Sequence, residues 1–246
     1  MKRKIKMNNT ETHNEITTDV SLMPQVGEPV IMPFAYEPDE HYYIEDLGEI
    51  EKKPFYSFVK RFFDIALSLL GILICFLPML VIAVIIKLTS KGPVFYKQER
   101  LGLNGKKFML VKFRTMVADA ENEGAQWSQG DYDDRITKFG SFLRKTRLDE
   151  LPQLCACLTG ELSLIGPRPE REIFYKEFEK HVHGFRQRLK VKPGLTGWAQ
   201  VNGGYDLRPE QKVTYDVEYI KNRSIGFELK ILFRTVKVIF SHEGAK

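Results

Sequence analysis

In the stretch RKTRLDELPQL, residues 144–154, two adjacent carboxylates, Asp149 and Glu150, follow the cations Arg144, Lys145 and Arg147. An ionised carboxylate among cations that gather phosphate can attack phosphorus and form an acyl phosphate. A neighbouring acid can hold a divalent cation or take a proton. Pro152 is tolerated in a first helical turn, where its N–H would have had no acceptor. The pattern therefore predicts a helix over about 150–158, with Asp149 near its N-cap and Glu150 just inside. Free N–H groups and the positive dipole end would keep Asp149 ionised and would also cradle phosphate. An ordinary N-cap aspartate with an acidic first turn has the same appearance. The surrounding residues have to decide between the two.

Several of them favour phosphate chemistry. Arg114, Arg144, Arg147, Arg168 and Arg171 offer planar forks that match phosphate oxygens. The two prolines of GPRP (166–169) stiffen the backbone around Arg168 and limit its reach. KPGLTGWAQVNGG (192–204) has the glycine content of a shaped loop over a ligand. Other chemistries have less support. His181 and His183 lack a nearby acid or cysteine to complete a metal set, and they suit a surface. No Gly-x-Ser-x-Gly elbow is present, and basic and aromatic residues form no nucleic-acid module.

These residues need elements to position them, and the strongest is apolar. Residues 62–86, FFDIALSLLGILICFLPMLVIAVII, carry no charge after Asp64. As a helix, Ile65 to Ile86 would measure about 33 Å, enough to cross a hydrocarbon core. The run begins past residue 60 and has no small-residue cleavage site, unlike a signal peptide. Basic residues flank both ends: Lys52, Lys53, Lys60 and Arg61 before it, Lys87, Lys91, Lys97 and Arg100 after it. The positive-inside tendency therefore places both ends on the cytoplasmic side. Pro78 lacks a donor and clashes with the carbonyl of Ile74, so a kink is expected there. A helix that enters, bends and returns fits these features, and one straight span is the alternative.

The remaining chain is coarser. Residues 1–51 carry four Lys/Arg against eleven Asp/Glu, or −7, which leaves +12 on residues 52–246 of a chain with net +5. Residues 1–55 are polar and aperiodic and are expected to form a disordered acidic extension. The basic portion suits an anionic partner. Asn104-Gly105, between two β-rich runs in 93–116, signals a hairpin turn. Helices are expected over about 115–124, 136–147, 170–188 and 208–221. Near the end, Leu229, Leu232, Phe233, Val236, Ile239 and Phe240 share one helical face, with Lys230, Arg234 and Lys237 on the other. Such a helix lies either in a membrane interface or against a core. Cys75, Cys155 and Cys157 form no zinc or disulfide pattern and are expected to be packing residues.

Seven motifs occur in order: KRFFDIALSLLG, KGPVFYKQERLG, FMLVKFRTM, LRKTRLDELPQL, GELSLIGPRPE, VKPGLTGWAQVNG and YDVEYIKN. Together, over residues 56–241, they resemble the bacterial sugar transferases, the monotopic polyprenyl-phosphate phosphoglycosyl transferases. The resemblance implies a mostly helical α+β fold. A re-entrant membrane helix (56–90) would precede a small cytoplasmic catalytic domain (91–246) with a short β-hairpin and interfacial amphipathic helices. It implies transfer of a sugar phosphate from a UDP-sugar to undecaprenyl phosphate at the bacterial cytoplasmic membrane, with release of UMP. That reaction begins exopolysaccharide, capsule or glycoconjugate assembly. It assigns Asp149 as a nucleophile forming a covalent phosphosugar, with Glu150 as its acidic partner and Mg2+ held by the pair. Lys112, Arg144 and Asp216 match further functional positions, and Pro78 matches the break in the membrane helix. Many members have Ser before that proline, whereas Leu77 stands here. Membrane lipid is an expected contact, nucleic acid is not, and a homo-oligomer is compatible with the sequence. The competing reading is a catalytically silent membrane scaffold in a polysaccharide assembly complex, against which the intact Asp149 and Glu150 argue.

Overall fold

The computed structural model describes residues 42–118, 120, 133–204 and 207–241. The apolar run forms α1, Pro54–Thr89, a helix of 36 residues that starts on a proline. It is the one helix among the described residues that is long and apolar enough to cross a membrane, and only 11% of its most apolar 18-residue window is buried. Leu73, Ile74, Phe76 and Leu77 are among its many open apolar side chains. The helix continues through Pro78 without a change of secondary structure.

One face of α1 meets the rest of the protein near both of its ends. Tyr56, Asp64 and Ser68 are buried in the first half, and a Cβ built on Gly71 would lie 3.0 Å from Leu154. In the second half Met79, Ile82, Ala83 and Ile86 pack with Phe113 and Leu143. Between Gly71 and Met79 the helix advances only about 12 Å.

Downstream, β2 (Phe95–Leu101) and β3 (Lys107–Phe113) pair antiparallel from Phe95↔Phe113 to Leu101↔Lys107. Their connection is a 3-10 turn in which Asn104 has a φ of 55° and Gly105 a φ of 76°. This is the backbone that Asn-Gly supplies with least strain. Next come α2 (Lys138–Lys145), capped by the Thr137 hydroxyl on the Gly140 N–H, and a 3-10 segment, Leu148–Gln153. They are followed by α3 (Leu154–Thr159), β4 (Ser163–Ile165), α4 (Glu172–Phe178), β5 (Val182–His183) and β6 (Gly194–Thr196). Two long helices, α5 (Pro209–Asn222) and α6 (Ile225–Ser241), end the described chain. β4 pairs parallel with β6, and β5 pairs parallel with β1 (Tyr42–Tyr43).

Several expectations are corrected. The helix expected at 115–124 does not begin at 115: Met116 bridges Ile136 in an antiparallel pair, and residues 119 and 121–124 lie outside the described residues. The helix expected at 170–188 stops at Phe178. Gly184 then takes a φ of 87° with the Ile44 carbonyl only 2.7 Å from where a Cβ would sit, so the chain turns and β5 meets β1. The acidic extension was expected to reach residue 55. Its residues 1–41 lie outside the described residues, but 42–53 are docked. Ile44 is buried with Phe174, Phe178, Val182 and Phe185, and Lys190 pairs with Asp46 at 2.7 Å. Ile44, Leu47 and Ile50 with two tyrosines, among seven acids in residues 37–51, gave too little apolar periodicity to announce that contact.

Of the two alternatives for α6, the contact with a core is present on one face, and another face stays open. Ile231 is fully buried beside Trp198 and Tyr219, while Leu229, Phe233, Val236 and Ile239 stay open. Lys230 and Arg234 lie over the Trp198 ring, 4.8 and 4.6 Å from its centre.

Candidate active site

The dyad lies at the start of the 3-10 segment Leu148–Gln153 and not at an α-helical N-cap. Arg147 takes the cap position in the left-handed region, with φ 59° and ψ 12°. A side chain there costs on the order of 1 kcal/mol, and the sharp turn between α2 and the dyad is what requires it. The α-helix proper starts only at Leu154, so any helix-end field on Asp149 is that of one short turn.

Three elements converge on Glu150. β3 packs against the 3-10 segment, and its two-residue period puts Lys112 on the face of Phe108 and Leu110. The Lys112 Nζ stands 3.4 Å from Glu150 Oε1. Arg168, from the GPRP turn after β4, donates from its guanidinium to the same oxygen. Arg147 adds its charge from the segment's own cap. Burial opposes ionisation of Glu150, but the charges of Arg168 and Lys112 prevail and hold its carboxyl well below the usual range.

Asp149 is treated differently by the fold. It is 7% exposed, and among the described residues no donor is hydrogen-bonded to it. Burial and the adjacent Glu150 carboxylate push its carboxyl up to about 6, against the pull of Lys112, Arg168 and Arg144. Two neighbouring carboxylates in environments that drive their acidities apart indicate two chemical roles. One is a fixed anion locked into cations. The other is an uncommitted carboxyl, pushed up to about 6.

The other expected site residues divide. Arg144, in the last turn of α2, adds its positive charge at Asp149. Arg114 does not carry its guanidinium to the dyad: it donates to the carbonyls of Lys91 (2.6 Å) and Ser90 (2.9 Å), closing the end of α1. Arg171 is buried at the start of α4 with its guanidinium 6.0 Å from the Phe174 ring centre. Asp216, expected to bind substrate, is fully buried in an ion pair with Arg188 at 2.7 Å. Arg188 also donates to the Arg168 carbonyl at 2.9 Å, a supporting role that no motif signalled. Pro78 lies in the stretch of α1 between its two sets of contacts.

No three His, Cys, Asp or Glu side chains converge as a metal group among the described residues. A magnesium ion does not need three, because it commonly takes one or two carboxylates and completes its shell with water and substrate phosphate. Asp149, with no donor on it among the described residues, and the Glu150 oxygen that Arg168 and Lys112 leave aside fit that use.

The fold and site define a class: a long apolar helix joined to a domain in which paired carboxylates are set among cations suited to phosphate. The chain belongs to the bacterial sugar transferase family, whose model matches residues 55–242. It is 40% identical over 84% of its length to a UDP-N-acetylgalactosamine-undecaprenyl-phosphate N-acetylgalactosaminephosphotransferase of Aeromonas hydrophila, covering 49% of that protein. It is 38% identical over 83% of its length to the UDP-glucose:undecaprenyl-phosphate glucose-1-phosphate transferase of Escherichia coli K12, covering 47% of it. A UDP-galactose-lipid carrier transferase of Erwinia amylovora is 35% identical over 97% of the chain, with 52% of that relative covered. The chain thus spans about half the length of these relatives.

Proposed function

We propose that the protein transfers a sugar 1-phosphate from a UDP-sugar to a polyprenyl phosphate, the first membrane step of exopolysaccharide, capsule or glycoconjugate assembly. The observation that carries this reading is the split dyad: Glu150 locked between Arg168 and Lys112, Asp149 buried and uncommitted. In the first step an Asp149 carboxylate oxygen attacks the sugar-bearing phosphorus, and the P–O bond to UMP breaks. The acyl phosphate so formed carries the sugar. A phosphate oxygen of the polyprenyl phosphate then attacks the same phosphorus, which frees the Asp149 carboxylate and yields the polyprenyl diphosphate sugar. Arg168, Lys112 and Arg144 place positive charge where the phosphoryl oxygens gain negative charge. A magnesium ion on the dyad would neutralise diphosphate charge. The three relatives named above differ in sugar, which supports a UDP-sugar donor as a class. Purified protein given polyprenyl phosphate and UDP-N-acetylgalactosamine, UDP-glucose or UDP-galactose should release UMP with at least one donor. A folded protein inert to every UDP-sugar would favour the scaffold reading.

The same reading places α1 in the bacterial cytoplasmic membrane as a re-entrant helix, with both ends on the cytoplasmic face. Contacts to one domain near both ends support it, because the roughly 12 Å between Gly71 and Met79 cannot cross a core of about 30 Å. Cysteines introduced at Ser57 and Lys91, in a chain freed of Cys75, Cys155 and Cys157, should both be labelled from the cytoplasm. Labelling from opposite sides would mean a full span.

A further inference from the structure

The exposed face of α1 faces solvent or lipid, but its buried polar residues make a connection that the reaction scheme does not use. Asp64 is 5% exposed at the start of the apolar run. Its carboxylate accepts from the Ser163 hydroxyl, at 3.0 and 2.9 Å to its two oxygens, and from the Leu164 N–H at 2.9 Å. One turn earlier, Lys60 donates to the Ile165 carbonyl at 2.9 Å and pairs with Glu228 of α6 at 2.7 Å. All three residues of β4 are therefore held by the membrane helix.

Beyond β4 the chain has little freedom. The Gly166 N–H donates to Thr196 at 2.9 Å, and a Cβ on Gly166 would lie 2.5 Å from the Lys192 carbonyl. Pro167 and Pro169 fix φ on both sides of Arg168, whose guanidinium holds Glu150. Only two residues, Gly166 and Pro167, separate Ile165 from Arg168. A buried carboxylate that accepts from a hydroxyl shared between its two oxygens and from a backbone N–H is a strong anchor.

We propose that Asp64 is a positioning residue for phosphoryl transfer: through β4 it fixes the GPRP turn, and so places the Arg168 guanidinium on the dyad. This deepens the transferase reading and rests on it. Membrane insertion of α1 and the charge geometry of the site then belong to one rigid unit. Asp64 touches no reacting atom and acts through Arg168.

A double-mutant cycle in detergent-solubilised full-length protein tests the link. Asp64→Asn keeps the side-chain shape but weakens its acceptors, and should lower kcat for UMP release about tenfold to a hundredfold, the size of a misplacement near 1 Å. In an Arg168→Ala background the same change should cost less than about twofold, because its route is already cut. Equal losses in both backgrounds, or no loss in the first, would overturn the proposal. Ser163→Ala, which removes only the hydroxyl, carries the same cycle if Asp64→Asn does not fold. Hydrogen exchange gives a readout independent of turnover: amides of 163–168 should exchange faster in Asp64→Asn while those of α5 do not. If the wild type releases no UMP the transferase reading fails, and unchanged exchange at 163–168 defeats the mechanical link on its own.

Discussion

Asp149→Asn is expected to abolish UMP release, by at least about 10⁴-fold, while the protein still folds and still partitions into membrane. The size follows from the role, since removal of a covalent nucleophile leaves only binding and electrostatic positioning. The sparing of the fold follows from the surroundings. No donor among the described residues is hydrogen-bonded to Asp149, so an amide strands no partner. Its carboxyl sits at about 6 against an ordinary 3.8, so the fold disfavours the charged form. The stability linked to this group is complete at acid pH and is lost as pH rises through 6. At pH 8 the Asn variant should therefore melt no lower than the wild type. The same shift sets the pH dependence of the wild type: turnover should rise as Asp149 ionises near pH 6 and fall below it. Substantial UMP release by a folded Asn variant would remove Asp149 from the mechanism.

The dyad was legible because chemistry and local pattern coincide there: two acids, three nearby cations and a proline within eleven residues. Its geometry was not. Asp149 was expected at an α-helical N-cap, but Arg147 holds that place in a left-handed conformation, which non-glycine residues seldom adopt and which no spacing rule announces. The long helix was equally plain from its apolar run, whereas its attachment depends on Asp64 meeting Ser163 and Leu164 across about 100 residues. Such pairings leave no periodic trace. Arginine gave the weakest signal of all. Its fork suits phosphate and backbone carbonyls alike, so Arg114 and Arg168 looked equivalent in the sequence. One closes the end of α1 and the other grips Glu150.

Asp216 illustrates the same ambiguity in a carboxylate, and its substitution should have the largest effect on stability. Side chains of Asp216 and Arg188 are each 1% exposed and lie 2.7 Å apart. The Arg188 guanidinium also rests 4.9 Å from the Phe185 ring centre and 5.8 Å from that of Tyr175, within the core that Ile44 completes. Asp216→Ala leaves this cation buried without its counter-charge, a loss of about 3–5 kcal/mol. For a domain of this size that lowers Tm by about 10 °C. Replacing both partners, as in Asp216→Leu with Arg188→Met, should recover much of that loss, because the desolvation of two charges is avoided. Activity should not recover with it, since Arg188 also holds the Arg168 carbonyl and the double variant cannot. Thermal melts and UMP release on the three proteins separate the possibilities. An Asp216→Ala protein that melts with the wild type but needs far more UDP-sugar would return Asp216 to the substrate site. A double variant that regains both stability and turnover would detach Arg188 from Arg168 and leave the GPRP turn held from the α1 side alone.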